Sequence, residues 1–541
     1  MISVTSSQPV ISEIVVVSSR NNNRMKKCLL ILLAGFTLVS CSKEFLDENT
    51  NGLMPPSESF RTKEDLEKWV TGTYGLLNLM FNDPREFMFY LGGDDVTADP
   101  GQDPPNYHFF DVFSPRINWL SYNSIRMWSA CYKTIKQTNT IILNINESDI
   151  SQKIPDINKQ RALGQAYFIR AISYYFLVRI WGEVPLITNL NVSYSLKKSS
   201  YKELFDLIVS DLKKAELLLP ENWKNDPGAT DLEKTTYYAR PSAGSAKSQL
   251  ASVYLTMSGF PLKETSNYAL AAAKAKEVID NKTIYGYDLM TEYAELWLNS
   301  NNINRETVFG CFYNHLYENW RNDPDGSLAS LNMVCPLVYK PSDFGGWGDI
   351  FAELTFYKEF PSGPRKNATF LTEARRSPAD PVIEWQNFWS KHPHYKKWLD
   401  VEGFSCDNIG LYIDWRSSRT MMIIRYAEVL LVYAEAKAMS DGPDASAYEA
   451  INQVRNRAGL PALTSGLTSI AFRDSVINER KWEFAGNEPN SRWFDMVRTE
   501  TVEAATMKRD LQEVPLQNQP DKSFYFTPIP EEEKLLNPNL K

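Results

Sequence analysis

The chain has 541 residues, 43% of them hydrophobic, with 30 Pro, 25 Gly and a net charge of −8 at a pI near 5.4. That content buries a large core and excludes a disordered chain, while the acidic balance, without a basic stripe to displace counterions, excludes nucleic acid as a partner. The 14 Trp, 27 Tyr and 27 Phe exceed what a plain core needs and point to a binding surface.

In chain order, residues 1–24 read as an upstream extension, because an export signal follows them and such a signal works at a chain's start. That signal spans residues 25–40: Lys26 and Lys27, an apolar run over 28–39, then small Ser40 before Cys41. The run is too short to span a bilayer, which needs about 20 apolar residues. Leu38-Val39-Ser40-Cys41 resembles the lipobox of bacterial lipoproteins, which implies cleavage before Cys41 and its lipidation. With Cys28 and Cys41 so assigned, Cys131, Cys311, Cys335 and Cys406 remain, without a C-x-x-C. A disulfide framework is not expected, although Cys311 and Cys335 are conceivable partners.

Beyond Cys41 the chain reads as one helical domain over 41–541. Four helix pairs carry apolar residues at helical spacing. The first combines "EDLEKWVTGTYGLLNLM" with "MWSACYKTIKQTNTIILNI", about 60–82 with 124–147. A second, over 161–219, joins "RALGQAYFIRAISYYFLVRIWG" to "SSYKELFDLIVSDLKKAELLLP". In the latter Ser200 and Glu203 make a capping box, Tyr201, Phe205, Ile208, Leu212, Ala215 and Leu219 form one stripe, and Pro220 stops the helix. The third, 242–281, turns at Gly259. The fourth, 423–458, ends at Gly459 and Pro461. Such helix-turn-helix units resemble tetratricopeptide repeats, which cannot bury their faces alone and so stack. The expected fold class is therefore all-α, with about four tetratricopeptide-like pairs packed against an irregular half. That half comprises two loop-rich stretches, about 83–123 and 299–420, rich in Pro, Gly, Asn, Asp and aromatics; long loops on a rigid scaffold are where binding resides.

The phrases "CSKEFLD", "WVTGTY", "AYFIRAISYYFLVRIWGEVPLI", "YKELFDLIVSDLKKAE", "IIRYAEVLLVYAEA", "AINQVRNRAGLP", "INERKWEF", "SRWFDMVR" and "FTPIPEEEKLLNPNL" follow one another in an order that resembles the SusD/RagB surface lipoproteins of Bacteroidetes, from Cys41 to Lys541. The resemblance implies an outward-facing, lipid-anchored outer-membrane protein that captures oligosaccharides and passes them to a SusC-like TonB-dependent transporter. It implies no cofactor and no catalysis. Two departures fall in "EFAGNEPNSRW" and in "SGPRKNATF", where Ser362-Gly363 stands in place of the acidic residue that relatives often carry before Pro-Arg. Peptide capture within the family, and a surface adhesin using the repeats, are the alternatives.

No H-E-x-x-H, G-x-S-x-G or Walker pattern is present. His392-Pro393-His394 reads as a polar loop. Adjacent Asp94 and Asp95 do not set the carboxylate separation that glycoside hydrolysis needs, and read as acceptors for loop backbone or for ligand hydroxyls. Glu428 is expected to pair with Arg425 one turn earlier, with Arg455, Arg480, Arg492 and Arg498 bracing helix ends. A sugar presents an apolar C–H face and a hydroxyl rim, so its site wants aromatic planes flanked by polar groups. The loops offer Tyr107, His108, Asn118, Trp119 and Tyr122 in one cluster, and Tyr317, Trp320, Arg321 and Trp347 in another, with Asp95 alongside. Trp385, Trp389 and Trp398 form an alternative surface.

Overall fold

The Ser200 hydroxyl accepts the backbone N–H of Glu203, whose carboxylate in turn accepts the Ser200 N–H, so the capping box read from the sequence is formed. This computed structural model describes residues 60–81, 92–98, 106–115, 122–147, 154–193, 195–313, 331–332, 350–375, 379–398, 416–486, 488–490 and 492–541. Among them are ten helices of eight residues or more: α1 (Lys63–Phe81), α2 (Tyr122–Glu147), α3 (Asp156–Trp181), α4 (Tyr201–Leu218), α5 (Ala243–Met257), α6 (Asn267–Asp280), α7 (Tyr426–Asp441), α8 (Ala445–Arg457), α9 (Ser469–Glu483) and α10 (Arg492–Thr499).

The helices form a row in which each packs on the next, from α1 through α8, with α9 also against α7. Every expected pair therefore consists of touching neighbours: α1 with α2, α3 with α4, α5 with α6, α7 with α8. Position in the row explains composition. All residues of α3 from 164 to 181 are buried, as are those of α7 from 426 to 436. A helix with neighbours on every side has no polar face to keep, so its apolar residues run all round. By contrast α4 buries one stripe, Leu204, Phe205, Ile208, Leu212 and Ala215. At the α5–α6 turn Gly259 lies so close to the Arg498 carbonyl that a Cβ would collide with it. Gly459, after α8, sits at φ +76°, where a glycine is unstrained.

Around the mainly helical core, the described strands are short and form five two-stranded antiparallel pairs. Two of these organise the loop-rich half. Strand β1 (Val96–Ala98) pairs with β3 (Ile350–Ala352), and β2 (Thr307–Cys311) pairs with β4 (Met421–Arg425). The second pair closes the long stretch 299–420 at its two ends. The described residues fall within one compact unit, Pro56–Lys541. No helix among them is long and apolar enough to cross a membrane.

Cys311 is a buried free thiol in β2, and Cys335, its conceivable partner, lies outside the described residues. One expectation is corrected here. Arg425 and Glu428 do not pair. Arg425 is the last, extended residue of β4 (φ −109°, ψ 152°), and the helix starts only at Tyr426, so helical i,i+3 spacing does not apply. Glu428 instead accepts from Ser252 and Asn490 at 3.1 and 3.0 Å, and burial raises its pKa.

Candidate functional site

The loop-rich half is held to the helices by buried charge. Arg425 donates to Glu306 and Glu483 at 2.7 Å each and to Glu488 at 2.8 Å. Arg457 also reaches Glu306 and Glu483, Arg365 reaches Glu479 and Glu483, Arg455 reaches Glu479, and Lys397 reaches Glu488 at 2.6 Å. Burial alone would raise the Glu483 carboxyl, but Arg457, Arg425 and Arg365 hold it well below the usual range. Burial lowers Lys397. Desolvated charges stay favourable only when their partners are fixed, so this lattice sets the geometry of the elements that carry it. Arg365, from the departing phrase "SGPRKNATF", is part of it.

A second set fixes the first loop-rich stretch. Asp94 accepts both arms of Arg492 at 2.8 and 3.0 Å, with Lys481 at 3.4 Å. Burial would raise its carboxyl, yet these two cations hold it well below the carboxylate range. Asp95 accepts the Gly486 N–H at 3.1 Å. Burial, with Asp94 beside it, pushes Asp95 up to about 6. Asp111 takes both arms of Arg509 at 2.8 and 2.5 Å and the Thr97 hydroxyl at 2.9 Å. Glu513 accepts from Thr97, from the Leu354 N–H and from His392. Glu353 takes the N–H groups of Phe356 and Asp510, and burial pushes it up to about 7. Strands β1 and β3 run between these anchors.

Register matters at that strand pair. Ala98 lies opposite Ile350. The chain leaves β1 after Ala98 toward Tyr107, Asn118 and Trp119, and enters β3 at Ile350 from the segment holding Tyr317, Trp320, Arg321 and Trp347. The two aromatic-rich stretches are thus attached at one end of one strand pair.

Of the residues singled out in the sequence, Asn118, Trp119, Tyr317, Trp320, Arg321 and Trp347 lie outside the described residues. Tyr107 falls in the short helix Asn106–Asp111 and Tyr122 opens α2; their side chains lie outside the described set. Asp95 is 2% exposed, with its carboxylate on Gly486 and its carbonyl taken by the Tyr395 hydroxyl. Its place among ligand contacts is corrected: it is an acceptor for loop backbone, because burial leaves no face for a ligand. His108 is buried as well. On the alternative surface Trp385 packs edge-on to Tyr357 at 5.8 Å and Trp389 is exposed, while the Trp398 side chain is outside the described set. His392 engages Glu513 and His394 engages the Ser390 hydroxyl. Arg455 does brace a helix end, through the Pro461 carbonyl. Arg480, Arg492 and Arg498 instead bond carboxylates on other parts of the chain, Asp495, Asp94 and Glu435.

Sequence reading missed an aromatic cleft of about 280 Å³ where the connection 221–242 and the turn at 285–287 meet β2. Its signal was the adjacent pair in "TTYYARP", which with Trp223 makes three aromatics in a largely polar connection.

Comparison with known proteins adds the following. A family model described as SusD family matches residues 317–541, and a model described as starch-binding associating with outer membrane matches 44–255. SusD-like protein P2 of Formosa agariphila is 26% identical over 530 residues, covering 93% of this chain and 96% of that one. A SusD homolog of Bacteroides thetaiotaomicron superposes with a TM-score of 0.73 at 20% identity, covering 91% of this chain and 99% of that one. Surface glycan-binding protein A of the same organism, solved in complex with laminarihexaose, superposes at 0.69 with 20% identity, over 89% and 99% of the two chains. Two model matches that account for most of the chain, a helical row with a loop-rich half and full-length structural likeness agree: this chain belongs to the SusD/RagB family.

Proposed function

We propose that the protein is a cell-surface lipoprotein that captures oligosaccharides and delivers them to a SusC-like TonB-dependent outer-membrane transporter, as a binder without catalysis. The observation that carries this reading is the β1–β3 register, which attaches both aromatic-rich stretches at one end of a strand pair anchored by buried ion pairs. The laminarihexaose complex of a family neighbour supports a sugar as the ligand. Trp119 and Trp320 supply stacking planes for pyranose C–H faces, and Tyr107, Asn118, Tyr122, Tyr317, Arg321 and Trp347 the flanking contacts. Cys41, acylated after signal cleavage, holds the domain at the outer membrane, and the helical row presents an extended surface to the transporter.

Calorimetry against a panel of soluble polysaccharides tests the ligand. Trp119→Ala and Trp320→Ala are each expected to cost about 1–3 kcal/mol of affinity. Binding of peptides in place of any glycan would replace this reading with peptide capture. Cys41→Ala is expected to release a folded protein from membranes, and detergent pull-downs are expected to contain a TonB-dependent barrel.

A further inference from the structure

The cleft at 221–242 and 285–287 has a rigid floor. The Trp223 indole N–H donates to the Pro241 carbonyl at 2.8 Å. The Tyr287 hydroxyl is bonded to Ser242 and Ser245 at 2.7 and 3.0 Å, and Ser245 continues to the Val308 carbonyl. Every polar group of that floor named here is committed to the fold.

The mouth differs. Tyr238 stands edge-on to Tyr237 (5.5 Å, 86°) and to Phe312 (4.9 Å, 70°), and all three rings are half-buried. Among the described residues neither the Tyr237 nor the Tyr238 hydroxyl makes a hydrogen bond. The exposed Lys224 ammonium lies 4.0 Å over the Tyr237 ring, and exposed Arg305 is held across the rim by the Leu289 carbonyl and Thr291. Glu221 completes a rim of both charge signs.

We infer that this cleft is a subsite for a sugar ring of an oligosaccharide, where the connection 221–242 meets β2. Angled aromatic faces suit the C–H face of a pyranose, and two hydroxyls without protein partners suit its rim. The rim carries two cations and one carboxylate, with Lys224 placed over the Tyr237 ring and Arg305 held by the Leu289 carbonyl and Thr291. A pre-formed floor spares the ordering cost that a loop site incurs on binding. The subsite uses none of the loop residues named above. The inference rests on the glycan-capture reading.

The test uses the Cys41→Ala chain labelled with 3-fluorotyrosine, with laminarihexaose, maltoheptaose and a xyloglucan heptasaccharide as probes. A probe that binds is expected to shift the fluorine resonances of Tyr237 and Tyr238, assigned through their Tyr→Phe variants. Tyr238→Ala is expected to weaken that probe about tenfold. Ile303→Trp is expected to do the same by filling the mouth; Ile303 is a 49% exposed rim residue, so the substitution leaves the core alone and decides the matter should Tyr238→Ala not fold. A probe that binds with unmoved resonances and unweakened by Ile303→Trp overturns the subsite and leaves glycan capture standing. If no probe binds the unsubstituted chain, both fall.

Discussion

The helical row and the loop-rich half bury their charges in different ways. In the row, polar side chains are buried as compact groups between touching helices. Arg170 of α3 takes Asp211 of α4 at 2.7 and 2.8 Å and Asn139 of α2 at 2.7 Å, inside a continuous apolar core. In the other half, Arg425 alone ties together Glu306, Glu483 and Glu488, residues 58 to 119 positions away. The difference teaches that periodic apolar faces specify their neighbours by shape, whereas irregular segments need contacts with fixed direction. Buried ion pairs supply that direction, at the cost of desolvating every member.

The sharpest way to break this comparison is Arg425→Met, which takes one cation from three buried carboxylates, leaving Glu306 and Glu483 to Arg457 and Glu488 to Lys397. It is expected to cost about 3–5 kcal/mol by chemical denaturation. A cost no larger than that of losing a helix cap would show that the lattice does not hold the loop-rich half. Leu430→Ala, in the all-buried stretch of α7, tests the row through its apolar packing, and about 3 kcal/mol is expected. Ser200→Ala removes one side of the capping box at an outer helix, for about 1 kcal/mol.

A pH series sharpens the same contrast. Asp95 and Glu353 are raised to about 6 and about 7, mainly by burial, so between about pH 4 and 7 the folded state holds protons that the unfolded chain has released. Their contribution is present at the acid end of that window and is lost as pH rises through it. The lowered Glu483 acts oppositely, losing its contribution only as pH falls below the ordinary carboxylate range. Glu353→Gln is expected to flatten the decline in stability from about pH 5 to 7, measured by denaturation midpoints. An unchanged slope would remove Glu353 as a source. The smallest effect belongs to the exposed pair of Lys202 and Asp206 on α4, where Lys202→Ala is expected to leave the midpoint unchanged.

Much of the row was legible. The stripe of α4, its cap at Ser200 and the stop after Leu218 follow from local spacing, and so does the closing turn at Gly459. Arg425 and Glu428 show where locality misleads: spacing proposes a helical pair, but the helix begins between them. Asp95 shows the same for the site, since an acidic loop residue beside aromatics reads as a ligand contact until its burial against Gly486 is known. The Tyr237 and Tyr238 cleft was hidden because its walls come from three segments, none aromatic enough alone to announce a surface.

By itself, the sequence determined the helices and their pairing order, because each rests on chemistry within a few residues: periodicity, caps and turn residues. Only the tertiary structure decided which carboxylate each arginine meets and that Ala98 lies opposite Ile350, bringing the ends of the two aromatic stretches together. Those choices depend on distances between residues far apart in the chain, and on burial, which turns an exposed charge worth little into one whose partner must be in place.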